Sequence, residues 1–444
     1  MNIQSSLKSI ANARLSILIC LCLVLGGTAQ QTLVYKTPLY IICLIFIGST
    51  LTSKKRSSIA ELNKFPIYVG AFLFTLYILY ILPLPPVIWS SMDGRGIILE
   101  GYKLVGITPT WLPMSLSPEE TFFSLFDFIP IIALILIMRL SATEDEIRLS
   151  MITLLSIGVI SALLGLIQSI GSENNLSFYK FSNEGFPVGF FSNINHQACF
   201  FAMLVPLAVY FLFGRKSLIY RWSGAQKLLG VTSLILYLPG TFLLGSLAGY
   251  LMIPLGFFIS ILILKYRVIS TKIVRWKLIS VCFILVFSLI MLRFELYAFS
   301  PENLPADIHD RQNIWQSSLK IKHNFGFWGI GPGSFEKVYG VFEDRSNITR
   351  VYINEAHNDY LQILLELGPL GLLVFLAIIV WLLLQISKCL STASKHRNIK
   401  LLFTVSATMP LLHSAVDYPF RTIAISSVFV YMILLLIRYD EKNS

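Results

Sequence analysis

Charged side chains are scarce in this 444-residue sequence. Asp, Glu, Lys and Arg together make up 13%, against about 25% in an ordinary soluble protein. That shortage excludes a disordered chain, a nucleic-acid-binding domain and nearly every soluble enzyme of this length. Cysteine is scarce too. Cys20, Cys22, Cys43, Cys199, Cys282 and Cys389 all fall in apolar stretches or in one basic connector, so no disulfide framework is expected. No Cys/His spacing suggests a zinc site, and no internal repeat or low-complexity tract stands out. What fills the chain is apolar: 55% of residues are hydrophobic and the mean hydropathy is +0.72. The composition reads as one all-α polytopic membrane bundle rather than as two or three soluble domains.

A helix needs about 20 mainly apolar residues to cross a bilayer, where an open structure would leave backbone groups unpaired. Twelve stretches are expected to span: 15–28, 38–51, 66–82, 121–140, 152–170, 194–213, 228–244, 247–264, 278–292, 368–384, 401–413 and 423–437. The chain then divides into three parts. Residues 1–292 form a membrane bundle of nine spans with outer loops at 83–120 and 171–193. Residues 293–364 form a large outer loop, and 365–444 contain the last three spans. Most of the 35 Lys and Arg, including Lys54, Lys55, Arg56, Arg215, Lys216 and Arg221, fall in segments that are inner if the N-terminus is cytoplasmic. By the positive-inside rule both termini are expected in the cytoplasm. The first apolar stretch runs on to Gln30 and Gln31 with no small-residue cleavage site, so no cleavable signal is expected.

Polar residues are concentrated in the outer segments, and a loop as long as 293–364 is usually functional. It contains three pieces. Asp310–Ile321 has helical periodicity, with Arg311 and Trp315 four apart on one face. Gly326–Phe335 has four Gly around Pro332, which predicts a tight turn where backbone closely approaches a neighbouring helix or a ligand. Glu355–Leu367 starts polar and becomes an apolar helix. His357, Asn358 and Asp359 are thereby placed at a helix N-terminus, where free N–H groups and the helix dipole favour anions.

The order Arg311-x-x-x-Trp315, then Gly329-Ile-Gly-Pro-Gly-Ser-Phe335, then Glu355-Ala-His-Asn-Asp-Tyr-Leu-Gln362 with Gly368, resembles the bacterial O-antigen ligase and polysaccharide polymerase family. Gly189-Phe-Phe-Ser-Asn-Ile-Asn-His196 and His413-Ser-Ala-Val-Asp-Tyr-Pro419 are also similar to segments of that family. The resemblance implies an inverting membrane glycosyltransferase of the GT-C type in the bacterial inner membrane, acting at its periplasmic face. Its donor would be a glycan on undecaprenyl diphosphate. Its acceptor would be lipid A-core for a ligase, or a lipid-linked glycan for a polymerase; a protein hydroxyl is a third variant. Membrane lipid is an implied partner and nucleic acid is not. Neither a nucleotide sugar nor a metal or other cofactor is implied, and the lack of an Asp-x-Asp pair in a plausible outer site agrees.

Attack of a sugar hydroxyl on an anomeric carbon needs a proton acceptor and a stabilised leaving group. An imidazole suits the first task and typically supplies about 10²–10⁴-fold; a guanidinium suits the second, because it matches phosphate oxygens in pairs. By the resemblance His357 is the base and Arg311 holds the diphosphate. The plainer alternatives are that His357 caps a helix or pairs with Asp310 or Asp359, and that Arg311 makes a salt bridge to Asp307 or Asp310. Arg345 and Arg350 are candidates for a second phosphate contact, with Lys180 and Arg421 in other segments. Asn195 and His196 open an apolar helix at the outer surface, as site residues or simply as a cap. Asn358 and Asp359 are further substrate-binding candidates. His413 and Asp417, four apart, read as a structural pair or as cavity lining, and Asp127 has the same standing. The rival of another class is a twelve-span transporter or flippase, but its spans would normally bury charge near mid-bilayer, and here Asp127 is nearly alone.

Overall fold

The computed structural model describes residues 13–30, 33–53, 64–170, 176–183, 185–214, 223–265, 304–345, 348, 353–391 and 396–441. Among them the regular structure is helical apart from one antiparallel pair of two-residue strands, β1 (Pro83–Leu84) and β2 (Leu112–Pro113). The principal helices of the first half are α1 (Arg14–Leu25), α2 (Leu33–Thr52), α3 (Phe65–Ile81), α4 (Gly96–Val105), α5 (Pro118–Phe126), α6 (Phe128–Leu140) and α7 (Glu144–Ile170). Those of the second are α8 (Ile194–Phe213), α9 (Gly224–Leu244), α10 (Leu247–Lys265), α11 (Leu304–Phe325), α12 (Phe335–Phe342), α13 (Asp359–Ser391), α14 (Arg397–His413) and α15 (Ile423–Glu441).

Each expected span among the described residues coincides with helix over most of its length; the one expected at 278–292 lies outside them. Among the described residues seven helices, counting α5 and α6 together, are both long and apolar enough to cross a membrane. The chain is a polytopic helical membrane protein. Of the remaining expected spans, α1, α3 and α14 are shorter helices of 12, 17 and 17 residues.

α8 is the centre of the bundle and packs against α7, α9, α10 and α14. Lipid tails are as apolar as Leu, so helices in a bilayer associate through close packing rather than through escape from water. The sequence provides for it: Ala198 of α8 meets Gly249 of α10, Ala202 approaches Gly256, and Ala208 meets Gly230 of α9. Between these contacts Phe200, Phe201, Tyr210 and Phe211 are fully buried.

Two spans differ from expectation. The stretch 121–140 is not one helix. It breaks at Asp127 between α5 and α6, and the carboxylate there takes Lys36 Nζ at 3.1 Å and the Tyr40 hydroxyl at 2.5 Å. A charge at membrane depth requires such partners, and Lys36, on another helix, supplies the opposite sign. The span expected from Gly368 starts nine residues earlier, at Asp359, and is broken at Gly368, with φ 63° and ψ −164°. Only glycine adopts that backbone readily, and Pro369 follows it. The carbonyls of Leu365 and Glu366 are left without helical partners by the break, and they accept from the N–H groups of Ile330 and Gly331, both at 2.9 Å. The glycine-rich turn 326–335 therefore approaches a helix backbone. Gly329 lies so close to the Leu365 and Glu366 carbonyls that a Cβ would not fit.

Candidate active site

Four segments meet at one end of the bundle: the start of α8, the 414–422 link after α14, the 353–358 segment before α13, and α11. Local sequence explains how they are held. Asn358 caps α13, its Oδ1 accepting from Leu361 N–H three residues on at 3.0 Å. Its Nδ2 donates to the Ala415 carbonyl at 3.0 Å. The Asp359 N–H donates to the carbonyls of Ser414 and Asp417 at 3.0 and 3.1 Å. The helix N-terminus expected to cup an anion is thus closed by the 414–417 link. The Asp359 carboxylate is spent as well: it accepts from the Ser414 hydroxyl at 2.8 Å and the Phe420 N–H at 3.2 Å, and lies 3.7 Å from Arg421 Nε.

His357 precedes this cap. It is the one non-glycine among the described residues with positive φ, +50°, a conformation that costs an L-residue about 1–2 kcal/mol. Such strain persists only where the surroundings dictate it. Here they do: the Ala356 carbonyl accepts from Trp315 Nε1 at 2.9 Å and the Ala356 N–H donates to Gln362 Oε1 at 2.8 Å. Trp315, one turn from Arg311 on α11, thus acts as a tether. The strained backbone aims the imidazole at the link. Nδ1 lies 3.6 Å from Asp417 Oδ1, and the ring meets Tyr418 edge-on with centroids 4.9 Å apart. The Tyr418 ring also meets His196 edge-on at 4.9 Å, and its hydroxyl accepts from Asn193 Nδ2 at 3.2 Å.

Arg311 approaches the same carboxylate. One terminal nitrogen donates to the Val416 carbonyl at 2.6 Å and the other lies 3.9 Å from Asp417 Oδ2. Asp417 is fully buried, whereas the His357 and Arg311 side chains are 25% and 29% exposed. Burial alone would raise the Asp417 carboxyl. The His357 ring beside it, with His196 and His413 nearby, outweighs burial and holds it below the usual carboxylate range. The constellation is a buried anion carrying an imidazole and a guanidinium on its two oxygens, both reachable from outside.

A second polar cluster lies immediately below. Arg421 Nη1 donates to Glu366 Oε2 at 2.8 Å, and Gln362 Nε2 donates to Glu355 and, at 3.4 Å, to Glu366 Oε1. Burial pushes the Glu355 carboxyl up to about 8, with Arg421 opposing and Glu366 adding to the shift. Arg421, Asp359 and Glu366 also line the upper end of a cavity of about 310 Å³ between α3, α6, α13 and α15, whose other end reaches Phe65, Trp381 and Ile437.

With this geometry in view, a family model described as O-antigen ligase matches residues 232–376. The matched stretch contains Arg311, Trp315, the glycine-rich turn and His357. Over that stretch the chain is similar to the O-antigen ligase family. That family comprises glycan-processing membrane enzymes, and the match supports ligase-like or related polymerase function on lipid-linked glycan and acceptor substrates in general. A search of curated proteins finds no match.

The other sequence candidates fall in different places. Asn195 is half-buried in the first turn of α8, and the cap there is Asn193, whose Oδ1 accepts from the Asn195 N–H at 2.8 Å. His196 is fully buried behind Tyr418. Arg345 is exposed just beyond α12, Arg350 lies outside the described residues, and Lys180 stands over the Phe181 ring. The side chains of Asp307 and Asp310 also lie outside the described ones. Asp417, expected as half of a structural pair or as cavity lining, and Tyr418 beside it join the site through the link. Asp417 serves His357 and Arg311, and its bond to His413 runs between their backbones, Asp417 N–H to the His413 carbonyl at 3.0 Å. The spacing of His413 and Asp417 drew attention to the right residue with the wrong partner. Among the described residues no three His, Cys, Asp or Glu side chains are arranged to hold a metal ion.

Proposed function

We propose that the chain transfers a glycan from undecaprenyl diphosphate to an acceptor hydroxyl at the periplasmic face of the bacterial inner membrane, in the manner of an O-antigen ligase and without a metal. The observation that carries this reading is the partly exposed imidazole of His357 and guanidinium of Arg311, set beside the two oxygens of buried Asp417. With Nδ1–H directed at Asp417, the Nε2 lone pair of His357 is left to accept the acceptor proton. The acceptor oxygen forms its bond to the anomeric carbon as the bond from that carbon to the diphosphate oxygen breaks. The electron pair leaves with undecaprenyl diphosphate, the proton resides on His357, and a single displacement of this kind inverts the anomeric centre.

Arg311 is placed to bind the negative charge that grows on the diphosphate, the role preorganised donors fill best. Asp417 orients both groups. Asn358, Asp359, Trp315 and Gln362 act as positioning residues, since their polar groups are used to shape the 353–358 segment. The apolar cavity that ends at Arg421 is suited to an isoprenoid tail, which favours a lipid-borne donor. A polymerase would use the same base and the same leaving group and differ in its acceptor.

The test is His357→Ala expressed in the native host, with surface glycans and lipid-linked intermediates analysed together. Loss of surface polymer with long chains retained on undecaprenyl diphosphate is the expected result. Accumulation of single repeat units would instead identify a polymerase. Normal polymer from a stably expressed variant removes the proposed base.

A further inference from the structure

The outer loop 83–120 does more than join α3 to α5. Its outward side carries large exposed apolar residues: Val87, Ile97, Leu104, Val105, Ile107 and Trp111 are 82%, 76%, 88%, 70%, 55% and 62% exposed. Three of them belong to α4, where Ile97 and Leu104 are two turns apart and Val105 adjoins them, so they form one stripe. The exposed charged residues of α4, Glu100 and Lys103, lie along one edge of that stripe. The inner side is fixed. Trp89 is fully buried and donates through Nε1 to the Thr110 carbonyl at 2.9 Å, while the Tyr102 hydroxyl bonds Thr110 Oγ1 at 2.8 Å. The stripe therefore faces outward from a rigid platform.

We infer that α4 is an interfacial foot, seated in the headgroup and upper acyl region of the leaflet on the site's side of the bilayer. The occupant is lipid rather than protein for a reason of continuity. The loop leaves the end of α3, whose exposed Ile78, Leu79 and Leu82 are already part of the lipid-facing surface, and Val87 and Ile88 extend that surface directly into the loop. An amphipathic helix with its apolar stripe down, a Lys beside it and a Trp close by is built for that boundary.

The foot has a mechanical connection to the site. Leu116 N–H donates to the Ile330 carbonyl at 2.9 Å, Thr121 Oγ1 to the Pro332 carbonyl at 2.6 Å, and Ser115 Oγ bonds Ser334 Oγ at 3.1 Å. Phe325, at the end of α11, packs against Gly94. The loop thereby grips the glycine-rich turn, which holds α13 below His357. A foot in the leaflet fixes the height of that assembly above the membrane. The inference concerns membrane seating and stands whether or not the glycan-transfer reading does.

The test uses the full-length protein in nanodiscs of phosphatidylethanolamine and phosphatidylglycerol, with the photo-crosslinking residue benzoyl-phenylalanine introduced at position 104 or, as a control, at position 100. Lipid adducts at 104 that greatly exceed those at 100 are the expected result. A covalent dimer through position 104 would overturn the inference in favour of a second copy on this face. Equal, low yields at both positions would overturn it in favour of a stripe exposed to water. In a second measurement, Trp111→Phe should remove fluorescence that brominated lipid quenches and aqueous iodide does not; the reverse pattern also sinks the idea.

Discussion

Two polar clusters lie one above the other at the same end of the bundle, and they are built on opposite plans. In the lower one Arg421, Glu366, Gln362, Glu355 and Asp359 direct their polar groups chiefly at each other or at local backbone, at hydrogen-bond distances down to 2.8 Å and with little exposure. In the upper one His357 and Arg311 lie 3.6 and 3.9 Å from the carboxylate they share, and both are partly open to the outside. A buried network whose members pair chiefly with one another fixes shape. Groups that must receive a proton or a phosphate need capacity left over, and apo active sites commonly show bonds slightly too long. The lower cluster reads as a keystone and the upper one as the reacting site, although each contains an arginine.

Arg421 is where this contrast breaks most visibly. Replacing it with Met leaves Glu366 and Asp359 buried without their counter-charge, and breaking a buried pair in this way costs about 3–5 kcal/mol. The expected outcome is a large fall in thermal stability of the detergent-purified protein, partly recovered by adding Glu366→Gln. An Arg421→Met protein of normal stability with lost transfer would move Arg421 into the reacting site and remove the distinction between the clusters.

Asp417→Asn tests the upper cluster with a smaller effect. The amide keeps the shape and can still accept from the Tyr418 N–H, which now meets Oδ1 at 2.8 Å, so folding should survive. What is lost is the charge that orients His357 and Arg311. Losing that orienting charge should slow transfer by roughly 10–100-fold in a single-turnover assay, about 1.4–2.8 kcal/mol of barrier, with little change in melting temperature. Unchanged transfer would show that the carboxylate is incidental.

The contrast was only half legible in the sequence. The spans are visible because a bilayer demands long apolar runs, and the turn at 326–335 is visible because its glycines are dense. Arg311 and His357 were reached through resemblance. What could not be read are pairings between elements remote in the chain: Asp417 with His357, Arg421 with Glu366, and Lys36 with Asp127. Periodicity reports which face of a helix a residue occupies, but not which distant helix faces it. The breaks at Asp127 and Gly368 were missed for a related reason. Proline is the local sign of both: Pro130 lacks the N–H that the Phe126 carbonyl would need, and Pro369 follows Gly368, whereas the partners met at the breaks, Lys36 and the glycine-rich turn, are remote in the chain.

The smallest expected effect is also the one that separates the clusters by their protons. Glu355 has its folded-state carboxyl raised from 4.5 to about 8, first by burial and then by the neighbouring acids. Between those two values the folded protein binds a proton that the unfolded chain has released. By linkage, the stability from the neutral carboxyl is fully present below the unfolded value and is lost as pH rises through about 8. Asp417, held low, contributes in the opposite sense and stays ionised throughout that range. Melting temperatures measured from mildly acidic to mildly alkaline pH should therefore fall by a few degrees in the native protein, and the slope should flatten in Glu355→Gln. The same slope in both proteins would mean that Glu355 is already ionised at neutral pH. In that case the lower cluster would hold a surplus of buried negative charge, and it could no longer be described as the self-paired one of the two.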